Sequence, residues 1–347
     1  MESKKVVVIG GGTGQSIFLR GLKNYTDQIT AVVTVADSGG GSGVLREDMG
    51  MLPPGDIRNC LLALANTEPV MQEVMQYRFE TGKLKGQSFG NLFIAAMLGI
   101  SNSFEEAVIK MSEFLAVKGR VMPVTLEDVH LIAVLDNGAI VKGEDQIPHE
   151  CLKHKAKIEK LRFNIPNVKP YPPVLEAIIE ADIIVIGPGS LYTSILPNLL
   201  VENVVDALRQ SKAQKVYVCN VMSQPGETQG YTVIDHMNVI EEHIGKGVIN
   251  TFIVNNKILN EEQVHKYENT DAEQILLDAE QREKLDERGI NYVEGDVIEF
   301  FMGYIRHDAD KLSMLVMNIA DNNEQSEDIA QIINLSDMIT EDNAKLA

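Results

Sequence analysis

The chain has 347 residues, 44% hydrophobic and 23% charged, with 27 glycines, 12 prolines and 3 cysteines, which excludes a disordered polyelectrolyte, a collagen-like repeat and a disulfide scaffold. Its 31 basic against 50 acidic residues give a net charge of −19, and no basic stripe gathers along it, so nucleic acid is not an expected partner. Cys60, Cys151 and Cys219 are scattered without a CxxC pair, as free thiols of a reducing compartment are.

In chain order, Met1-Glu2-Ser3-Lys4-Lys5 leads directly into the apolar run 6–9, without the stretch that marks a signal peptide. No segment reaches the roughly 18 apolar residues of a membrane span. A soluble cytoplasmic protein is expected. Runs 6–9, 29–35, 183–186, 216–218 and 252–254 are continuous and rich in β-branched residues, as strands buried on both faces are. Helical patterns at 15–22, 57–65 and 201–208 alternate with them. That alternation predicts an α/β fold, a Rossmann-like doubly wound, mostly parallel sheet.

Two segments depart from the alternation. Residues of about 56–118 read as a helical block, with patterns at 91–98 and 104–115. After it, 130–135 and 139–141 flank Asn137-Gly138, a tight-turn signal, and 157–163 extends them into a β-rich insertion of about 120–163. A proline-rich stretch, 166–173, then precedes a helix at 174–180. Residues 1–320 are expected to form one nucleotide-binding domain, and the acidic tail 321–347 to be peripheral or disordered.

Glycine loops follow three of the strands. The first, Gly10-Gly11-Gly12-Thr13-Gly14, lies between strand and helix, where backbone N–H groups and the macrodipole favour a phosphate. Gln15 breaks the dinucleotide fingerprint GxGxxG, and no GK[ST] completes a P-loop. The second loop carries Asp37, Ser38, Gly39, Gly40 and Ser42, with Asp37 where a ribose-binding acid would stand. The third carries Gly187, Gly189 and Ser190. A tight turn or a cap would explain any one of these loops; three at strand ends converge on one crevice. Asn220 and residues 223–228 add amides and hydroxyls, or an ordinary polar loop. Arg58 offers a guanidinium that can clamp phosphate, whereas Asp56 and Asn91 are also explained as helix caps. Tyr267, Arg306 and His307 can cover a base and a diphosphate, or pack on the surface. His149, Cys151 and His154 lack a completing ligand, so no metal site is expected there.

The motifs GGGTG, ADSGGGSG, PPGDIRNCLLALA, SFGN, IGPGSLYTS and NVMSQPGETQGYT, in that order, closely resemble the bacterial YvcK-type proteins, called gluconeogenesis factors, within the CofD-like superfamily. The resemblance runs from Lys4 to about residue 320. It implies a Rossmann-like fold that binds a nucleotide-sugar, with UDP-N-acetylglucosamine the leading ligand class. It also implies a part in cell shape and wall-precursor supply during growth on gluconeogenic carbon sources.

By the same resemblance Gly11, Gly12, Thr13, the Asp37–Ser42 loop, Asp56, Asn91 and the Gly187–Ser190 loop surround the ligand, with Tyr267 and Arg306 as nucleotide-sugar contacts. Homo-oligomers and regulatory protein partners stay open. The related 2-phospho-L-lactate transferase carries a TGDD-like acidic pair where this chain has Ala36-Asp37-Ser38-Gly39, which puts transferase activity in doubt. We read a regulatory binder that requires no cofactor. The alternative is a phosphate-linked group transferase, in which Asp37 and Asp56 would position Mg²⁺. An NAD-dependent oxidoreductase fits the fold but not the fingerprint.

Overall fold

The structure, a computed structural model, describes residues 3–265, 271–301 and 304–322. Its strands are β1 (Val6–Gly10), β2 (Ile29–Val33), β3 (Arg120–Pro123), β4 (Leu131–Leu135), β5 (Ile140–Lys142), β6 (Ile158–Phe163), β7 (Ile183–Ile186), β8 (Gln214–Val218), β9 (Thr251–Asn255), β10 (Asn291–Gly295), β11 (Ile298–Phe301) and β12 (Tyr304–His307). Seven of them form one parallel sheet in the order β10-β9-β8-β7-β1-β2-β3. β1, β2, β7 and β9 are buried along their whole length, because helices cover both faces of the sheet, and this is why they read as unbroken apolar runs.

From β1 the chain steps outward to β2 and β3, then returns to lay β7 on the other side of β1. The strand order therefore reverses between β1 and β7, and the loops leaving these two strands splay apart at their carboxyl ends. That is where an open α/β sheet binds its ligand. Three helices feed this edge: α1 (Gly12–Leu22) after β1, α2 (Gly40–Met49) after β2, and α3 (Gly55–Leu64) behind them. Further helices at Pro69–Gln76, Phe89–Gly99 and Phe104–Phe114 follow before β3.

Gln15 explains the broken fingerprint. Its side-chain amide donates to Val8 O at 3.0 Å and Val32 O at 3.1 Å, pinning α1 across β1 and β2 where a glycine would merely let helix and sheet approach. Gly14 has a different reason. A β-carbon there would stand 2.7 Å from Pro188 O, so its absence lets the loops after β1 and β7 lie against each other.

Arg120–Pro123 is not part of the β-rich insertion; it is the outer strand of the main sheet, paired with β2. The insertion proper is the antiparallel sheet β5-β4-β6 with the helix Gln146–His154. Its turn falls at Asn137-Gly138 as expected but is not a primed one: Asn137 is not left-handed, and Gly138, at φ +83°, follows a turn closed by its N–H donating to Leu135 O at 2.8 Å. β10 and the antiparallel pair β11–β12 are additions that the apolar pattern did not mark. Cys60, Cys151 and Cys219 are buried and unpaired. Among the described residues no single helix is long and apolar enough to cross a membrane. The helix Ala309–Asn322 runs into the start of the acidic tail, and 323–347 lie outside the described residues.

Candidate functional site

A crevice of about 600 Å³ opens at the carboxyl edge of the sheet, over the point where the strand order reverses. Gly11, Gly12 and Thr13 line it from the first loop, Gly189 and Ser190 from the third, Asn220 from the segment after β8, and Arg306 from β12. A smaller apolar groove of about 540 Å³ between the helix Phe104–Phe114 and β3 lies on the outer edge of the sheet and holds none of the candidate residues.

The second loop stands beside the crevice and is tied to the insertion. Ser38 Oγ donates to Asp145 Oδ1 at 2.7 Å, and Asp37 Oδ1 accepts from the Gly39 N–H at 2.9 Å. Arg46, only 5% exposed, reaches back from α2 to Asp37 O at 3.2 Å and also donates to Asp128 and Val129 O. Ser38 therefore ties the loop to the insertion, and Ser38, Gly39 and Gly40 are absent from the crevice lining.

Asp37 and Asp56 come together behind the first loop. A β-carbon on Gly55 would meet Asp37 Oδ2 at 3.0 Å and Ser42 Oγ at 2.4 Å, and one on Gly11 would meet Asp56 Oδ2 at 2.9 Å. Burial, then the Asp37 charge, push Asp56 up to about 6, against the pull of the Gly12 N–H. Asn91, 2% exposed, links this pair to the helical block: its amide donates to Ser42 Oγ at 3.4 Å and its carbonyl accepts from Arg58 at 2.8 Å.

Arg58 is no phosphate clamp. It is buried and absent from the crevice lining, and its two Nη atoms donate to Asn91, Ser88 and Asn59, while Nε is left without a partner among the described residues. His307 likewise is not a cation: burial lowers it to about 4, and its Nε2 lies 3.2 Å from Cys219 O, to which the neutral ring donates. Gly187 supports the third loop from below at φ +89°, without lining the crevice. Tyr267 lies outside the described residues.

Two carboxyl groups that the sequence did not single out complete the lining. Glu144, from the insertion, is pushed up to about 8 by burial and by Asp37, Asp56, Glu227 and Asp145. Glu227 is 8% exposed and accepts from Ser190 Oγ at 2.8 Å and Thr193 Oγ1 at 3.2 Å. Burial raises it, while those hydroxyls and the Tyr192 and Thr193 N–H groups pull it back. These amides of the third loop thus already face an anion belonging to the protein. The amides left to an external phosphate are those of Thr13 and Gly14, in the first turn of α1, where helix geometry supplies no internal acceptor.

Among the described residues, no group of three or more His, Cys, Asp or Glu side chains converges as a metal cage. Mg²⁺ often takes only one or two carboxylates and completes its shell with water and phosphate oxygens, so Asp37 and Asp56 suffice to hold it only in company with a phosphorylated ligand. It would there neutralise phosphate charge.

The model of the family 2-phospho-L-lactate transferase CofD matches residues 6–298. A chain of Thermoanaerobacterium thermosulfurigenes is 54% identical over 319 residues, covering 92% of this chain and 98% of that one. The gluconeogenesis factor of Bacillus subtilis is 42% identical over 319 residues, covering 92% and 98%. A crystal structure of a protein from Bacillus halodurans superposes with a TM-score of 0.86 at 42% identity, covering 91% of this chain and 100% of its own.

Proposed function

The chain belongs to the CofD family, its relatives include gluconeogenesis factors, and from that premise we propose that it is a regulatory protein binding a nucleotide-sugar of the UDP-N-acetylglucosamine class. The observation that carries this reading is the polarity of the crevice. Its lining combines donors, the first-turn amides of α1 and the Arg306 guanidinium, with acceptors, Glu227 and Gln224. A diphosphate suits the first and a sugar rich in hydroxyls suits the second. Binding of this kind in the cytoplasm would couple wall-precursor supply to cell shape on gluconeogenic carbon sources.

The adjacent Asp37 and Asp56 favour a second reading, transfer of a phosphate-linked group as the family model's name describes. The two readings differ in their need for a divalent cation. Dipoles and a guanidinium offset diphosphate charge by themselves, whereas two bare carboxylates repel it. Calorimetric titration with UDP-N-acetylglucosamine is expected to give the same affinity with and without EDTA, and mass analysis to recover the ligand unchanged. Binding abolished by EDTA, together with a product, would replace the binder by the transferase.

A further inference from the structure

Glu227 is the most deeply placed acid lining the crevice, yet only half of its carboxyl group is satisfied. Oε1 takes the Ser190 and Thr193 hydroxyls, and the Tyr192 and Thr193 N–H groups face the same carboxyl group, while Oε2 is buried without a hydrogen-bond partner among the described residues. A buried acceptor left unmet costs about 1–3 kcal/mol, more when charged, so the position favours any ligand that brings a donor.

The neighbours narrow the donor's chemistry. Gln224 Oε1 accepts from Ser190 Oγ at 2.9 Å, so the Ser190 hydroxyl proton is shared between two protein acceptors and the residue faces the crevice as an acceptor itself. Glu144 lines the same crevice and adds a further carboxyl group. A phosphate, which has acceptors only, is repelled from this wall. A metal ion finds no cage of three protein carboxyl or imidazole ligands here among the described residues. A hexose has several hydroxyl donors and no charge, which is what a wall of acceptors selects.

We propose that Glu227 is a specificity-determining residue, its unpartnered Oε2 accepting a hydrogen bond from a hydroxyl of the hexose, so that the sugar lies on the Glu227 wall and the diphosphate on the Thr13 and Arg306 side. This rests on the nucleotide-sugar reading and gives that ligand its direction in the crevice. Glu227 also holds the turn Leu191–Ile195 through its Oε1 contacts, and the experiment has to separate that role from recognition.

The test compares UDP-N-acetylglucosamine with UDP, which lacks the sugar, by calorimetry on the wild type and on Glu227→Gln. The wild type is expected to prefer the sugar nucleotide. Glu227→Gln should weaken that ligand by about tenfold, the worth of one hydrogen bond to a charged group, and leave UDP unchanged or slightly tighter because a negative charge has gone. Should Glu227→Gln fail to fold, Thr193→Val removes one anchor of Oε1 and is expected to give the same selective loss, severalfold in size. Proportional weakening of both ligands would reduce Glu227 to a support for its turn and overturn the proposal. Equal wild-type affinities for the two ligands would overturn it while leaving nucleotide binding intact. Wild-type protein that binds neither ligand would overturn the nucleotide-sugar reading and the sugar subsite together.

Discussion

Arg306→Ala is expected to lower affinity for UDP-N-acetylglucosamine by at least about tenfold while leaving the melting temperature of the free protein unchanged. Arg306 projects from β12, which is anchored by antiparallel pairing to β11, and its guanidinium rests 5.3 Å from the Tyr304 ring centroid. The residue is exposed, so its removal creates no cavity and strands no buried partner, and surface changes of that sort shift stability by only about 0.5 kcal/mol. With His307 neutral and Arg58 outside the lining, Arg306 is the one arginine lining the crevice among the described residues. A charge-assisted bond to phosphate is worth about 1.5–3 kcal/mol, which converts to about tenfold or more in affinity. Lysine would keep the charge and lose the fork, so Arg306→Lys should fall between the two. Calorimetry beside thermal melts reads both quantities; an unchanged affinity would remove Arg306 from the diphosphate.

The free protein should become less stable as pH rises from about 5 to above 8, and Glu144→Gln should relieve most of the loss at the upper end. The sign follows from proton counts. Glu144 moves from an ordinary 4.5 to about 8 on folding, and Asp56 from 3.8 to about 6, so between those values the native state holds protons that the unfolded chain has released. Their contribution is whole below the unfolded values and disappears as pH passes the folded ones. The cause is burial first and mutual repulsion second: Glu144 faces Asp37, Asp56, Glu227 and Asp145. Calorimetric melts should show Glu144→Gln equal to the wild type near pH 5 and more stable by several degrees at pH 8.5. A variant less stable than wild type at pH 8.5 would mean that the ionised carboxylate has a stabilising partner.

How much of this was legible beforehand depended on whether a residue's task is local. β1, β2, β7, β8 and β9 were readable because a strand covered on both faces must be apolar at every position. β3 begins at Arg120 and ends at Pro123, and β10 begins at Asn291 and ends at Gly295; both are outermost strands, whose one open edge tolerates residues that disguise the run. The loops after β1 and β7 announced themselves through glycine, although Gly14 serves the packing of one loop on the other and not a ligand directly.

Side chains whose meaning arises only in three dimensions were read less well. Arg58 stands two residues after Asp56, and nothing in its neighbourhood along the chain tells that Ser88 and Asn91 will claim it. Glu144 carried no motif, and Glu227 stood within NVMSQPGETQGYT without being picked out of it. They belong to the insertion and to the loop after β8, and the fold brings them together 83 residues apart at one wall. A signal for Glu227 did exist: an acid within a segment otherwise made of Ser, Gln, Pro, Gly and Thr, directly downstream of a strand end that faces the crevice.

The most direct test is a crystal structure of the wild-type protein grown with UDP-N-acetylglucosamine. The account places the diphosphate within hydrogen-bonding distance of the Thr13 and Gly14 amides and the Arg306 guanidinium, with the hexose turned toward Glu227. Ligand density in the apolar groove beside β3, or a diphosphate seated on the Asp37 loop away from Arg306, would contradict it.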